Sequence, residues 1–281
     1  MKIDSLLSMT KSNSSKKRVD AIEALIDLNT PKAAKTFIFL LQNDPDSQVR
    51  FTAAHALGFL HSDTVISSLL ECLQKEKSKN GKYFIICSLG MQRAKTAAPV
   101  LLGMYDKEEY DIQNAILETV SEASDTTVVP TLLHLYSVEH DMQHRHQMVQ
   151  TIASLHTHES DEFSSKLLDT VQSYWLKSAV ITGWSESGYT KGYNQIVSWA
   201  SFRCNSSKIN YDTQMLTYPV LVAMEQLGTP EQNVSTLKAY SNCNDPSLRQ
   251  SFLEILRLQL KKKITPELRD KIDEEIKTFS N

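Results

Sequence analysis

The chain has few of the residues that make turns: eight glycines and eight prolines in 281. That is too few for a sheet-rich fold, where both residues punctuate the chain. No sustained apolar–polar alternation appears either. No run of about 18 apolar residues exists, so no membrane-spanning helix is expected. The opening Met1-Lys2-Ile3-Asp4-Ser5-Leu6-Leu7 carries an acid where a signal peptide needs an apolar core. The four cysteines (Cys72, Cys87, Cys204, Cys243) are far apart and make no metal-type pair, so a reducing cytoplasm is the expected location. There is no basic excess: 30 Lys and Arg against 33 Asp and Glu leave a net charge of −3. A general affinity for nucleic acid needs a basic surface. Also missing are a Gly-rich phosphate loop, a Gly-x-Ser-x-Gly turn and a Cys-x-x-Cys pair.

What the chain does contain is a recurring pattern, clearest from Asp44 to Leu60. Asp46 suits a helix N-cap, since its short carboxylate can accept from the free N–H groups of the first turn. Val49, Ala53, Leu57 and Leu60 then fall on one face of a 3.6-residue helix. The position of Arg50 recurs as Arg18, Arg50, Lys82, Gln113, Arg145, Lys177, Gln214 and Arg249, in steps of 32, 32, 31, 32, 32, 37 and 35 residues. The cap column reads Ser14, Asp46, Ser78, Glu109, Asp141, Ser173, Asn210 and Asp245. The Leu57 column is apolar throughout: Leu25, Leu57, Leu89, Val120, Ile152, Trp184, Leu221 and Leu256. A second helical pattern fills the intervals, as in Ala97-Ala98-Pro99-Val100-Leu101-Leu102. Two-helix units of this length in series predict an all-α fold, an α-α superhelix of about eight repeats.

The proline in the first helix, the Asp-containing turn and Val49-Arg50 opening the second helix resemble the HEAT repeats. The run Ala53-Ala54-His55-Ala56-Leu57-Gly58 is similar to bacterial HEAT-like repeats of the phycobilisome-lyase type. The resemblance covers roughly residues 14–260. It implies a single solenoid domain over 1–281, with regular repeats to 156, less regular aromatic-rich repeats over 157–260 and a C-terminal cap helix over 261–281. First helices are expected near 31–43, 62–75, 93–105 and 126–138. Second helices are expected near 14–28, 46–60, 78–91, 109–123 and 141–156. The segment 203–208 is expected to be a long loop. In HEAT repeats the Arg position forms part of a ladder with the Asp turn of a neighbouring unit, so the basic column is expected to be structural.

The resemblance also places the second helices on the concave side. The residues opposite the packing stripe would then be Gln48, Thr52, His55 and Phe59, followed by Asn80, Phe84, Cys87 and Met91. Asp111, Ala115, Glu118 and Glu122 come next, and Trp175 and Ala179 follow further on. Apolar anchors in an acidic-to-neutral surround suit a protein or peptide interface. His55, Phe59, Phe84, Met91, Glu118, Glu122 and Trp175 are the candidate partner-binding residues. No cofactor, metal, nucleic acid or membrane is expected. Homo-oligomerisation through the aromatic C-terminal half stays open. The expected function is a non-catalytic adaptor. The alternatives are a lyase or chaperone-like factor for a tetrapyrrole-carrying protein, and a helical-repeat DNA glycosylase, which the acidic strip opposes. His140, His144 and His146 lie close in sequence, but no third ligand falls at a fixed offset. His158-Glu159 is one pair, whereas the HEAT-repeat di-iron hydroxylases resemble a set of four.

Overall fold

The computed structural model describes residues 3–28, 30–204, 216–240, 243 and 246–280. Among them are 17 α-helices and no strand. The chain divides into two compact units, Met1–Leu132 and Leu133–Asn281.

Unit 1 holds α1 (Ile3–Met9), α2 (Ser15–Asp27), α3 (Ala34–Asn43), α4 (Ser47–Gly58), α5 (Asp63–Lys75), α6 (Lys79–Met91), α7 (Ala98–Leu102), α8 (Tyr110–Ala123) and the start of α9 (Val129–Val138). The second helices α2, α4, α6 and α8 pack closely side by side, while the first helices α3, α5 and α7 touch one another much less. The columns read from sequence do their expected work. Leu25, Leu57, Leu89 and Val120 are each at most 1% exposed. Asp46 accepts from the Gln48 N–H and Ser78 from the Gly81 N–H, whereas Ser14 and Glu109 make no cap bond. The helix expected over 93–105 is shorter. It consists of α7 between two 3-10 turns, Lys95–Ala97 and Tyr105–Lys107. Pro99 starts it and Gly103 closes it, a distribution that suits both residues.

Two glycines let the second helices approach. A Cβ on Gly58 would meet the Met91 Sδ at 2.8 Å, and one on Gly90 would meet the Glu122 Oε2 at 2.5 Å. Hydrogen bonds cross at the same places. Ser88 Oγ donates to the Ala54 carbonyl (2.8 Å), Thr119 Oγ1 to the Ile86 carbonyl (3.0 Å), and the buried Gln92 amide to the carbonyls of Leu57 and Leu60.

Unit 2 holds the rest of α9, then α10 (Met142–Ser154), α11 (His158–Thr170), α12 (Tyr174–Glu186), α13 (Tyr193–Cys204), α14 (Thr217–Leu227), α15 (Pro230–Lys238), α16 (Pro246–Leu260) and α17 (Pro266–Ser280). α10, α12, α14 and α16 pack in series, and α17 closes on α16. Ile152, Trp184 and Leu256 are buried as their column requires. Leu221 is only half-buried. The buried face of α14 is instead Val220, Ala223, Met224 and Leu227, a displaced register. The loop expected over 203–208 is helical at Arg203 and Cys204, and the rest of it lies outside the described residues, as do Asn210, Gln214 and Asp245. Cys243 is buried and disulfide-bonded, a bond that persists in oxidising surroundings. Cys72 and Cys87 are free thiols. The terminal helix α17 buries Leu268, Ile272 and Phe279 and leaves its charged face wet.

Candidate functional site

The basic column is structural, and Arg18 reaches the Asp turn of the neighbouring unit as the resemblance implies. Arg18 Nε and Nη2 donate to the two carboxylate oxygens of Asp44, 26 residues on, at 2.8 and 2.7 Å. Lys82 Nζ donates to both oxygens of Glu108, again 26 residues on. Arg50 reaches the Asp44 carbonyl of its own turn at 2.9 Å; burial works to raise the Glu76 pKa, and hydrogen bonds from Ser78 and Lys77, with a smaller part from the Arg50 charge, outweigh it and lower the pKa. The two acceptors, Asp44 and Glu108, belong to a carboxylate column that sequence reading passed over: Asp44, Glu76, Glu108 and Glu139. Each stands at the end of a first helix. Asp44 also accepts from the Asp46 N–H, Glu76 from the N–H groups of Lys77 and Ser78, and Glu139 from those of His140 and Asp141. One carboxylate thus ties the loop's free donors to the turn.

In unit 1 the side chains that these constraints leave exposed on the second-helix layer form a strip. α4 contributes His55, and its C-cap residue is Phe59; their rings meet edge to face at 5.1 Å, and Phe59 is 42% exposed. α6 contributes Tyr83, exposed, and Phe84, half-buried because it stacks on Phe51 at 5.5 Å. Met91 is half-buried, folded over Gly58. α8 contributes Asp111, Glu118 and Glu122, all exposed. Two residues expected on this strip are inside instead: Thr52 is 9% and Ala115 2% exposed. Each sits where neighbouring second helices touch. The strip has two shallow depressions. One, of about 380 Å³, lies between Lys79, Tyr83, Asp111 and Glu118; another, of about 490 Å³, lies between Met91, Arg93 and Glu122.

The electrostatics of the strip are negative. Glu118 and Asp111 help raise the Tyr83 pKa, behind the larger effect of the neighbouring Cys87. Burial pushes the Cys87 thiol up, and Glu118 and Glu122 push it further. Lys79 answers part of this charge by reaching Glu109 at 3.2 Å and Asp111 at 2.5 Å. Neither Glu118 nor Glu122 makes an ion pair among the described residues.

The seventh expected residue, Trp175, is in unit 2. It is 42% exposed and rests against His146 at 4.5 Å, with the Ser178 Oγ 3.5 Å from the His146 Nε2. Burial lowers the His146 pKa, so the ring favours its neutral form. Ala179, expected beside Trp175 on the exposed side, is fully buried. The three histidines of the 140–146 segment are not brought together. His140 is exposed, His144 is buried 3.5 Å from Glu139, and His146 packs on Trp175. No group of three metal-ligating side chains occurs among the described residues. Trp184 of α12 and Tyr193 of α13 are buried, and Tyr189, between the two helices, stacks on His156 at 4.7 Å.

A further cavity, of about 690 Å³, opens in unit 1 beside Phe39, Lys11 and Lys35, with the Arg18–Asp44 pair in its wall. It lies on first-helix residues that the sequence reading did not single out.

The family pattern of the HEAT repeats matches residues 3–83. Among curated proteins, none matches the chain by sequence. Among solved structures, the complex of CpcE and CpcF of phycocyanin lyase from Nostoc sp. PCC7120 is similar at 17% identity, with 86% of this chain and 95% of that one covered and a TM-score of 0.51. YibA of Escherichia coli matches at 15% identity over 99% of this chain and 93% of its own, with a TM-score of 0.47. Human deoxyhypusine hydroxylase matches at 13% identity over 92% and 96%, with a TM-score of 0.38. Residues 3–83 are thus similar to HEAT repeats, and the chain has the fold of a helical-repeat protein.

Proposed function

We propose that this chain is a non-catalytic adaptor that holds another protein or peptide on the exposed strip of unit 1. The observation that carries this reading is the company Phe59 keeps. It is a large apolar side chain, 42% exposed, on the closely packed helix layer, with the exposed Tyr83 on the next helix and carboxylates on the one after. Scattered apolar residues on a surface need no explanation, but aromatic anchors inside a polar rim are the usual make-up of a binding patch. The grooves are shallow and open, and burial holds the Cys87 thiol beside Tyr83 in its protonated, unreactive form. The strip therefore suits docking better than chemistry.

The test compares capture of partners from native lysate by wild type and by a Phe59→Ala/Phe84→Ala variant, with circular dichroism as the control for folding. A partner held by wild type and released by the variant supports the reading. Equal capture by both places docking elsewhere, on Trp175 or the cavity beside Phe39. The likeness in fold to a phycocyanin lyase suggests a second role, as a factor for a tetrapyrrole-carrying protein. The acidic row disfavours a tetrapyrrole's carboxylates on this strip. An absorbance titration with bilin or haem that shows a spectral shift would revive that role.

A further inference from the structure

The strip has two chemically different halves, and together they specify an occupant. Resting on the docking reading above, we infer that unit 1 takes a cationic amphipathic segment: a stretch of chain with Lys or Arg along one edge and apolar side chains along the other. The apolar half is Phe59 at the end of α4 with Phe84 and Met91 on α6. The anionic half is Asp111, Glu118 and Glu122 on α8, spaced 7 and 4 residues apart on one face of a straight helix. Neighbouring helix axes lie about 8–10 Å apart. A single helix, about 10 Å wide, laid along the boundary of α6 and α8 therefore touches Phe84, Met91 and the acidic row at once, with Phe59 one helix spacing further out.

Three observations favour a cation over any other partner for the α8 row. First, the chain already places an ammonium there. Lys79 crosses from α6 to lie between Glu109 and Asp111, so the near end of the row binds an alkylammonium in this geometry. Second, the far end has no such answer: Glu118 and Glu122 have no cationic side chain within ion-pair distance among the described residues. Third, the acid lies beside the apolar half: the Glu122 carboxylate sits over Gly90, next to Met91, so a cation that meets it brings its neighbouring apolar side chains onto α6. An exposed ring adds to this, because the Tyr83 face lies beside Glu118 and can take a guanidinium or ammonium by cation–π attraction. Glu118 and Glu122 are one helical turn apart. A partner helix would meet them with two cations at i and i+4, or an extended partner with cations at i and i+2.

The test uses two synthetic probes, an amphipathic Leu/Lys peptide and a Leu/Glu peptide of the same apolar pattern. Binding to the full chain is followed by fluorescence anisotropy at low and at physiological salt. The variants are Glu118→Gln/Glu122→Gln, Phe59→Ala/Met91→Ala, and a control that removes two exposed acids of unit 2, Glu231→Gln/Glu254→Gln. The expected result is binding of the Leu/Lys peptide only, about tenfold weaker in the Glu118/Glu122 variant, weaker also in the Phe59/Met91 variant, and unchanged in the control. Equal weakening by the control means diffuse attraction by net charge and overturns the proposal. Equal binding of both peptides, still sensitive to Phe59→Ala/Met91→Ala, overturns the cationic partner and leaves the docking face standing. Binding of the Leu/Lys peptide that neither strip variant changes overturns both.

Discussion

The Arg18–Asp44 pair is expected to contribute to stability out of proportion to its single position. Its side chains are 10% and 4% exposed, and two near-parallel bonds of 2.8 and 2.7 Å join them. Replacing Asp44 with Leu removes both acceptors and leaves the guanidinium with only the Ser12 carbonyl, at 2.8 Å. It also frees the Asp46 N–H. Breaking a pair this enclosed costs about 3 kcal/mol, mostly because a charge is left behind without its counterion. Replacing both residues, Arg18→Met with Asp44→Leu, removes that stranded charge. The double variant is expected to recover most of the loss, giving a coupling of about 2 kcal/mol in a double-mutant cycle. The exposed Lys75–Glu71 pair, 73% and 56% accessible, is the contrast and should show no measurable coupling. Urea unfolding followed by far-ultraviolet circular dichroism gives the free energies. A stack of repeats can open from one end, so amide hydrogen exchange across α1–α3 should accompany it and show the loss concentrated there. A coupling indistinguishable from that of Lys75–Glu71 would refute the argument that the carboxylate column carries the turns.

Three further outcomes follow from unit 2 and the helix caps. Lys177 is 3% exposed, and burial brings its pKa down to about 8, with Asp169 opposing the shift. The unfolded chain then binds more protons than the folded one between pH 8 and about 10, so stability should rise with pH across that window and the full cost should apply below it. Lys177→Met should flatten the rise in thermal unfolding scans, a change on the order of 3 kcal/mol at most. Gly183→Ala would set a Cβ against the backbone carbonyl of Gln150, which cannot turn aside, and should cost about 2 kcal/mol in urea unfolding. Gly103→Ala, where the nearest atoms are 3.4 Å away, should cost much less. Asp141 accepts from two N–H groups, and Asp141→Ala should cost about 1 kcal/mol, while Ser14→Ala, at a cap without a side-chain bond, should change little.

The helix pairs were legible because their period is written three times over, in cap, cation and apolar columns. Each of these is a local property of one helix. The ladder was read as structural and as reaching the Asp turn of a neighbouring unit, and Arg18 does reach that turn; the pattern left open which of its two carboxylates accepts, and it is Asp44. Spacing within one helix does not reveal which side chain at the end of another lies opposite. The exposed strip was mostly legible, since His55, Phe59, Glu118 and Glu122 face out where the helical period puts them. Thr52, Ala115 and Ala179 were misplaced because they lie at the edge of that face, where a neighbouring helix covers them. Phe84 is half-hidden for a similar reason, its stacking on Phe51. Gly58 and Gly90 gave no signal, because a glycine inside a helix means close approach only once the neighbour is known.

The two charged rungs, Arg18–Asp44 and Lys82–Glu108, each join a donor to an acceptor 26 residues on, within columns that return about every 32. The chain can therefore change length in whole repeats without new chemistry. Excising residues 45–76 would leave Arg18 still 26 residues ahead of Asp44 and Lys82 still 26 ahead of Glu108. A cut of any other size within that interval would break the 32-residue phase of the cation and apolar columns across the junction. Gene duplication and loss acting on such a chain would keep the unit-length events and discard the rest, so the ladder sets the step in which a protein of this kind can grow.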